Sequence, residues 1–147
     1  MTTQVAFHFN ASAKVGYSCR LLRKAVASGA RVVVCGDVDL LRELDLQLWT
    51  FSALDFVAHC RADDAPPHVL ARSPVVLTEP AHAATAAPHR EVLVNIAERV
   101  PTGFEQFARV IEVVTDDADD RQRARARWKQ YAGQGFAIER HDLAESR

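Results

Sequence analysis

The residues best suited to binding chemistry lie together near the carboxyl end of the chain. Between positions 121 and 136, cationic side chains alternate with aromatic ones: Arg121, Arg123, Arg125, Arg127, Trp128, Lys129, Tyr131 and Phe136. Arginine forks bind carboxylates or phosphates, and aromatic side chains supply apolar contact. The pattern predicts a surface for an acidic partner with an apolar anchor. The alternative is a solvated helix face, with Trp128 and Phe136 in the core.

Helical geometry favours the binding interpretation for part of this set. At 100° per residue, Arg121, Arg125 and Trp128 fall on one narrow stripe, together with Ala132. Because Arg121 and Arg125 are four residues apart, their heads can converge on one acidic peptide. The repulsion between like charges at this spacing costs roughly 0.2–0.5 kcal/mol, and a bound anion would relieve it.

The segments that must position this helix alternate between strand and helix patterns. Strands are predicted at 3–9, 31–35, 74–78, 91–96 and 109–115, with a short edge strand at 136–140. Helices are predicted at 17–28, 38–49 and from about 116 to 133, with helical turns at 103–107. Residues 51–60 are predicted as irregular or as a helical turn, and 61–73 and 79–90 as loops. The opening strand–helix–strand–helix order predicts an α/β fold with parallel strands.

Size and charge restrict the classes of function. The 147 residues suit one domain spanning 1–147, and the net charge of −1 gives no overall attraction to nucleic acid or membrane. No apolar stretch approaches the roughly 20 residues of a membrane span, and no signal peptide is apparent. Three widely spaced cysteines, Cys19, Cys35 and Cys60, fit neither a disulfide framework nor a zinc motif. We therefore expect a cytoplasmic protein.

Signatures of catalysis and cofactor binding are missing from the sequence. The segment after the first strand, Asn10 to Gly16, cannot form a Gly-x-Gly-x-x-Gly turn, and no phosphate-binding loop motif occurs. Asp37 is better explained as a helix cap than as a ribose ligand. His59 beside Cys60 is the best metal candidate, but adjacent side chains rarely chelate one ion. We predict no catalytic residues, no metal and no cofactor.

Three groups of residues are informative in combination. They are an N-terminal strand that ends in aromatic residues, Asp45-Leu-Gln-Leu-Trp49 followed by Asp55-Phe56-Val-Ala-His59, and Arg125-Ala-Arg-Trp128-Lys129-Gln-Tyr131 followed by Gly135-Phe136. Together they resemble the chi subunit family of bacterial DNA polymerase III. The resemblance covers nearly the full chain, and the last motif is the most specific. It implies a Rossmann-like three-layer fold with a mostly parallel central sheet and no nucleotide-binding loop.

The resemblance also implies partners and contact residues. The family consists of accessory proteins of the clamp-loader complex that bind the psi subunit and the acidic, phenylalanine-ending tail of single-stranded DNA-binding protein. Contact with single-stranded DNA would then be indirect. Matching motif positions implies Arg121, Arg125, Lys129 and Trp49 for the tail site, with Trp128 nearby, and Phe56 for the psi surface. At two positions the chain departs from the pattern of the family: Trp128 stands where tyrosine is more usual, and Arg121 stands where lysine is common.

Two other classes of function remain open at the level of sequence. The basic and aromatic helix could bind single-stranded nucleic acid directly, although the overall acidity argues against this function. A small nucleotide-dependent enzyme of Rossmann type is a further alternative, and the missing phosphate-binding glycines argue against it.

Overall fold

Seven parallel strands form one sheet in the computed structural model, which describes residues 2–50 and 57–144. The strands are β1 (Gln4–Ala11), β2 (Val32–Cys35), β3 (His59–Arg61), β4 (Val75–Thr78), β5 (Val92–Asn95), β6 (Arg109–Thr115) and β7 (Ile138–Asp142). The helices are α1 (Lys14–Ala27), α2 (Val38–Thr50), α3 (Pro67–Arg72) and α4 (Ala118–Gly133). The strand order β3-β4-β2-β5-β6-β1-β7 confirms the expected α/β fold with a parallel sheet.

Helices cover both faces of the sheet, which produces three layers. On one face, Leu22 of α1 and Leu44 of α2 pack against Val32 and Val34. On the other face, Ala124 and Tyr131 of α4 belong to a second core cluster that includes Val33 and Cys35, the intervening residues of β2. Because β2 is buried on both faces, each of its side chains is apolar, and the strand reads as a continuous hydrophobic run.

Two of the predicted irregular segments contain regular structure. Strand β3 spans the boundary between the segment predicted as irregular or helical turn, 51–60, and the loop predicted at 61–73, and α3 lies within that loop. β3 has only three residues, His59, Cys60 and Arg61, so it shows no alternating pattern and is recognisable only by its pairing with β4. α3 is too short for a helical period, although Pro67 stands in its first turn, a position that proline tolerates well.

The chain end returns to the sheet through a specific turn after α4. Gly135 has a φ of 87°, and the N–H groups of Gly135 and Phe136 donate to the carbonyls of Ala132 (3.0 Å) and Tyr131 (3.1 Å). These two bonds form a Schellman motif, which needs a left-handed residue and therefore favours glycine. The turn places β7 beside β1, with Phe7 opposite Arg140. The predicted edge strand is thus present, but it begins at residue 138 instead of the predicted residue 136.

Candidate functional site

The orientation of α4 follows from the side chains that it buries. Asp120, Ala124, Arg127 and Tyr131 recur at helical spacing and form its buried face. The stripe of Arg121, Arg125 and Trp128 is rotated by 100° from that face, since each residue directly follows a buried one. It therefore lies along the boundary between the core and solvent.

A buried carboxylate fixes the middle of α4 to the sheet. Glu112 of β6 is fully buried and accepts hydrogen bonds from Arg127 Nε (2.9 Å), Tyr131 Oη (2.8 Å) and Asn95 Nδ2 (2.9 Å). Burial and the Glu112 charge both raise the pKa of Tyr131, which stays a neutral donor. Arg127 was one of the cations predicted for the surface, and that prediction is wrong because Arg127 is the buried counter-ion of Glu112.

A second ion pair fixes the start of α4. Lys14 Nζ of α1 lies 2.7 Å from Asp120 Oδ1, and the other oxygen of Asp120 accepts from the backbone N–H (2.8 Å) and hydroxyl (2.9 Å) of Thr115. Burial disfavours ionised Asp120, but Lys14 and Thr115 outweigh it and lower the pKa of the carboxyl. Asp117 caps the helix by accepting from the Asp120 N–H. The two anchors together hold α4 at a set rotation and position on the sheet.

A hollow of about 360 Å³ opens between α4 and the edge of the sheet formed by β1 and β7. Its lining is apolar at the base and cationic at the rim. The base consists of Phe7, Phe9, Val114, Ala124 and Trp128, and the rim of Arg121, Arg125, Lys129 and Arg140. The Trp128 ring packs on Phe7 with centroids 4.9 Å apart. The hollow is therefore within the size range of ligand pockets, with mixed apolar and cationic lining.

Among the described residues, no carboxylate neutralises the positive charge of the rim. Arg121, Arg125, Lys129 and Arg140 are exposed, and none of them forms an ion pair with any residue in 2–50 or 57–144. By contrast, the neighbouring Arg123 lies 3.6 Å from Glu98. Four unpaired cations around an apolar base attract an anionic ligand that has an apolar group.

Four of the residues implied for tail binding lie together, and one lies elsewhere. Arg121, Arg125, Trp128 and Lys129 line the hollow. Trp49 does not: it lies in the last turn of α2, on the opposite face of the sheet, where it is 59% exposed and packs edge-on to His59 with centroids 5.3 Å apart. The sheet therefore separates Trp49 from Trp128, and the hollow does not lie between the two tryptophans. Phe56 lies outside the described residues.

Sequence reasoning missed Arg140 as a residue of this hollow. Its guanidinium lies over the ring of Phe9, 5.0 Å from the centroid. The available signal was the edge strand itself, because alternation along it places Ile138 and Arg140 on one face. Recognising the site required knowing that this strand pairs with β1 rather than with another edge of the sheet.

The described residues provide neither a metal cluster nor a membrane span. His59, the metal candidate, directs Nε2 to Asp45 Oδ1 at 2.8 Å and Nδ1 to the Val57 carbonyl oxygen at 2.7 Å. Across residues 2–50 and 57–144, no three histidine, cysteine or acidic side chains are grouped as metal ligands would be. Within the same ranges, every helix is too short or too polar to cross a bilayer.

Comparison with known proteins gives consistent results over most of the chain. The sequence model of the family described as DNA polymerase III chi subunit, HolC, matches residues 1–139. The DNA polymerase III subunit chi of Pseudomonas aeruginosa is 33% identical over 135 residues, which are 90% of this chain and 88% of that protein. The DNA polymerase III subunit chi of Escherichia coli K12 is 28% identical over 121 residues, 82% of this chain and 79% of that protein.

Proposed function

This chain belongs to the DNA polymerase III chi subunit family, and we propose that it is a non-catalytic accessory subunit of the bacterial clamp-loader complex. In this role it binds the psi subunit and the acidic tail of single-stranded DNA-binding protein. It thereby links the replisome, in the cytoplasm, to coated single-stranded DNA. It needs no cofactor for this function, because binding alone makes the link.

The observation that supports tail binding is the cationic hollow between α4 and β7. A peptide with several carboxylates and a terminal phenylalanine is complementary to it, because the ring fits the apolar base and the carboxylates fit the rim. Each charge-assisted hydrogen bond contributes roughly 1.5–3 kcal/mol where water is partly excluded. Burial of the ring adds about 1.5–3 kcal/mol. Ordering of the tail offsets much of this gain, and we expect micromolar, exchangeable binding, which corresponds to about −8 kcal/mol.

A separate surface is available for the psi subunit. Leu46 and Trp49 of α2 are 64% and 59% exposed, on the face of the sheet opposite α4. They lie just before Phe56, the residue implied for psi by the resemblance. Residues three apart are neighbours on a helix surface, and an exposed apolar patch of this kind is typical of a protein contact. Trp49 fits this surface better than the tail site, since the sheet separates it from the hollow. Both partners could then bind at once.

Titration with a fluorescent peptide tests the tail site. The peptide is acidic and ends in phenylalanine, and fluorescence anisotropy gives its affinity. Arg125→Ala should weaken binding about 10-fold or more, since it removes one charge-assisted contact. The control is Arg72→Ala, which removes an exposed arginine from α3 at the far edge of the sheet. Equal binding by the wild type and both variants would contradict the proposal for the hollow.

Direct binding of single-stranded nucleic acid is the competing function for the same hollow, since cations beside aromatic rings also suit bases and phosphates. A parallel titration with a labelled oligonucleotide separates the two functions. The proposal expects tight binding of the peptide and weak, strongly salt-sensitive binding of the oligonucleotide. The reverse ranking would favour the nucleic-acid function.

A further inference from the structure

We propose that a second cavity, near the opposite edge of the sheet from the hollow, binds a small organic monophosphate of the size of a mononucleotide. The cavity has a volume of about 490 Å³ and lies outside the carboxyl ends of β2, β3 and β4. The hollow lies at β1 and β7, and β5 and β6 separate the two sites in the sheet. The inference therefore goes beyond the proposed function and does not depend on it.

The path of the chain explains why a cavity opens at this place. β2 and β4 are neighbours in the sheet, but the chain leaves them on opposite faces. After β2 it enters α2, whose Leu41 packs in the same core cluster as Leu22 of α1. After β4 it enters the segment 79–91, whose Ala83 and Ala86 pack in the second core cluster, on the face of α4. Diverging connections leave a crevice between them, which is the usual ligand site of an open parallel sheet.

Arg42 of α2 supplies an unpaired positive charge to the cavity. It is exposed and forms no ion pair with any residue in 2–50 or 57–144. Helical side chains tilt toward the start of their helix, and α2 starts at the cavity, so Arg42 and the positive end of the helix act on the same space. Asp39, the acidic residue of the first turn, does not line the cavity.

Arg61 brings a second guanidinium from another element. It is the last residue of β3, and its Nη2 lies 3.0 Å from Oδ2 of Asp63, a side chain that is 68% exposed. Its Nε and Nη1 have no hydrogen-bond partner in the part of the chain that the structure describes. Two arginines can bind the oxygens of one phosphate through several charge-assisted hydrogen bonds.

A buried hydroxyl group of the lining also lacks a good partner. Thr78, the last residue of β4, is only 5% exposed. Its hydroxyl reaches the carbonyl oxygen of Glu79 at 3.4 Å, which is longer than the range of about 2.5–3.0 Å that hydroxyl donors prefer. Because buried polar groups are nearly always hydrogen-bonded, we infer that an oxygen of the ligand completes the bonding of Thr78.

The remaining lining suits a body that has both an apolar part and hydroxyl groups. Leu41 and Leu77 are almost fully buried, and Leu70 of α3 adds to the same apolar surface. The exposed carboxylate of Glu79 can accept hydrogen bonds from sugar hydroxyls. A nucleoside combines these two parts, and the volume is typical of ligand pockets. The missing glycine motifs serve to bind diphosphates and triphosphates, so their absence restricts the ligand to a single phosphate.

NMR titration of the full chain tests the site with three probes: adenosine monophosphate, adenosine and inorganic phosphate. The wild type should bind adenosine monophosphate with a dissociation constant below about 1 mM, and each of the other probes about 10-fold more weakly or less. Arg42→Gln and Arg61→Gln should each weaken binding of adenosine monophosphate about 10-fold, but change that of adenosine by less than about 2-fold. Thr78→Val, which removes the hydroxyl, should weaken binding of the nucleotide several-fold.

Two further variants serve as controls. Arg72→Gln alters an exposed arginine of α3 that does not line the cavity, and it should bind all probes as the wild type does. Arg125→Gln reports on the hollow, where a phosphate could bind instead, and it should leave the affinity for adenosine monophosphate unchanged. Circular dichroism of each variant confirms folding. An excess of the acidic tail peptide should not displace the nucleotide.

Each contrary result is distinct. A wild-type protein that does not bind adenosine monophosphate up to about 10 mM, or binds it no more tightly than adenosine, overturns the inference. Binding that is lost in Arg125→Gln but kept in Arg42→Gln overturns it as well, because the nucleotide then occupies the hollow. Affinity for the tail peptide should be the same in the wild type and Arg42→Gln, so the proposed function and this inference can fail separately.

Discussion

The arginines of α4 have different roles because their neighbours differ. Arg127 is 3% exposed and its Nε lies 2.9 Å from Glu112 Oε1, whereas Arg125, two residues away, is exposed at the rim of the hollow. Arginine thus stabilises the core at position 127, whereas at position 125 it is available to bind a ligand. Helix phase determines the role, since only Arg127 follows the period of Ala124 and Tyr131.

Loss of the Glu112 charge should destabilise the fold. Glu112→Gln leaves the guanidinium of Arg127 buried without a counter-ion, which costs about 3–5 kcal/mol of the free energy of unfolding. Urea denaturation followed by circular dichroism measures this change. The control is Glu98→Gln, which alters the exposed carboxylate beside Arg123 and should change stability by less than about 0.5 kcal/mol. If both variants unfold at the same urea concentration, the buried pair is not an anchor.

His8 should make stability depend on pH in the mildly acidic range. Its Nδ1 lies 2.5 Å from Tyr17 Oη, and its ring packs on His141 with centroids 4.7 Å apart. Burial, and then the charges of His141 and Arg109, lower the pKa of His8 from 6.5 to about 4. Between these values the unfolded chain binds more protons than the folded one, so stability falls as the pH decreases through that window.

Comparison of the unfolding free energy at pH 7 and pH 5 measures the effect. The wild type should lose about 1 kcal/mol more than His8→Gln, after allowance for the partial exposure of the ring. Burial also lowers the pKa of His89, so the variant should retain part of the pH dependence. Asp120 does not contribute here, because its lowered pKa lies below this range. An equal loss in both proteins would show that the pKa of His8 is the same in the folded and the unfolded chain, which contradicts the prediction.

At the scale of elements, the turn after α4 determines where β7 can lie. Gly135→Ala should cost about 1–2 kcal/mol, because an L-residue is strained at its φ of 87° while a Cβ there would meet no atom within 4 Å. Gly133→Ala is a matched control: it is also open, but it lies within α4 and should leave stability equal or raise it by up to about 1 kcal/mol. Thermal unfolding of both variants tests the pair, and similar melting temperatures would contradict this role for Gly135.

The sequence predicts those elements whose own pattern encodes them. The run Val32–Cys35 and the period of Leu41, Leu44 and Leu48 mark β2 and α2, because burial requires apolar residues at those spacings. β3 and α3 lack such a pattern. β3 has three residues and is defined by its pairing with β4, and α3 is too short to show a helical period. Tertiary pairing, rather than local preference, defines elements of that length.

At the scale of the whole molecule, topology determines which predicted residues meet. Arg121, Arg125 and Trp128 share one helix, so the sequence alone brings them together. Trp49 and Arg140 belong to other elements, and their distance from α4 depends on the layer and strand order. The resemblance groups Trp49 with residues of α4, from which the sheet separates it, and sequence reasoning missed Arg140 at the hollow, because neither strand order nor helix layer can be read from local patterns.

The local concentration of cations in a chain of net charge −1 predicts salt-dependent binding. Affinity for the acidic peptide should fall several-fold between about 0.05 and 0.3 M salt, because exposed charge pairs are screened over about 10 Å at 0.1 M. Arg125→Ala should show a shallower dependence, since it makes fewer such contacts. Anisotropy titrations across the salt series give both slopes. An affinity that does not change with salt would contradict the role of the cationic rim.

The central claim is that the hollow between α4 and β7, rather than the α2 face, receives the acidic chain end. The chain has two tryptophans, and they report on these two surfaces: Trp128 lines the hollow and Trp49 lies across the sheet from it. The most direct measurement is an NMR titration of the two indole N–H resonances with the phenylalanine-ending peptide. The Trp128 resonance should shift in a saturable manner while that of Trp49 stays in place. A shift of Trp49 with an unmoved Trp128 would contradict the claim.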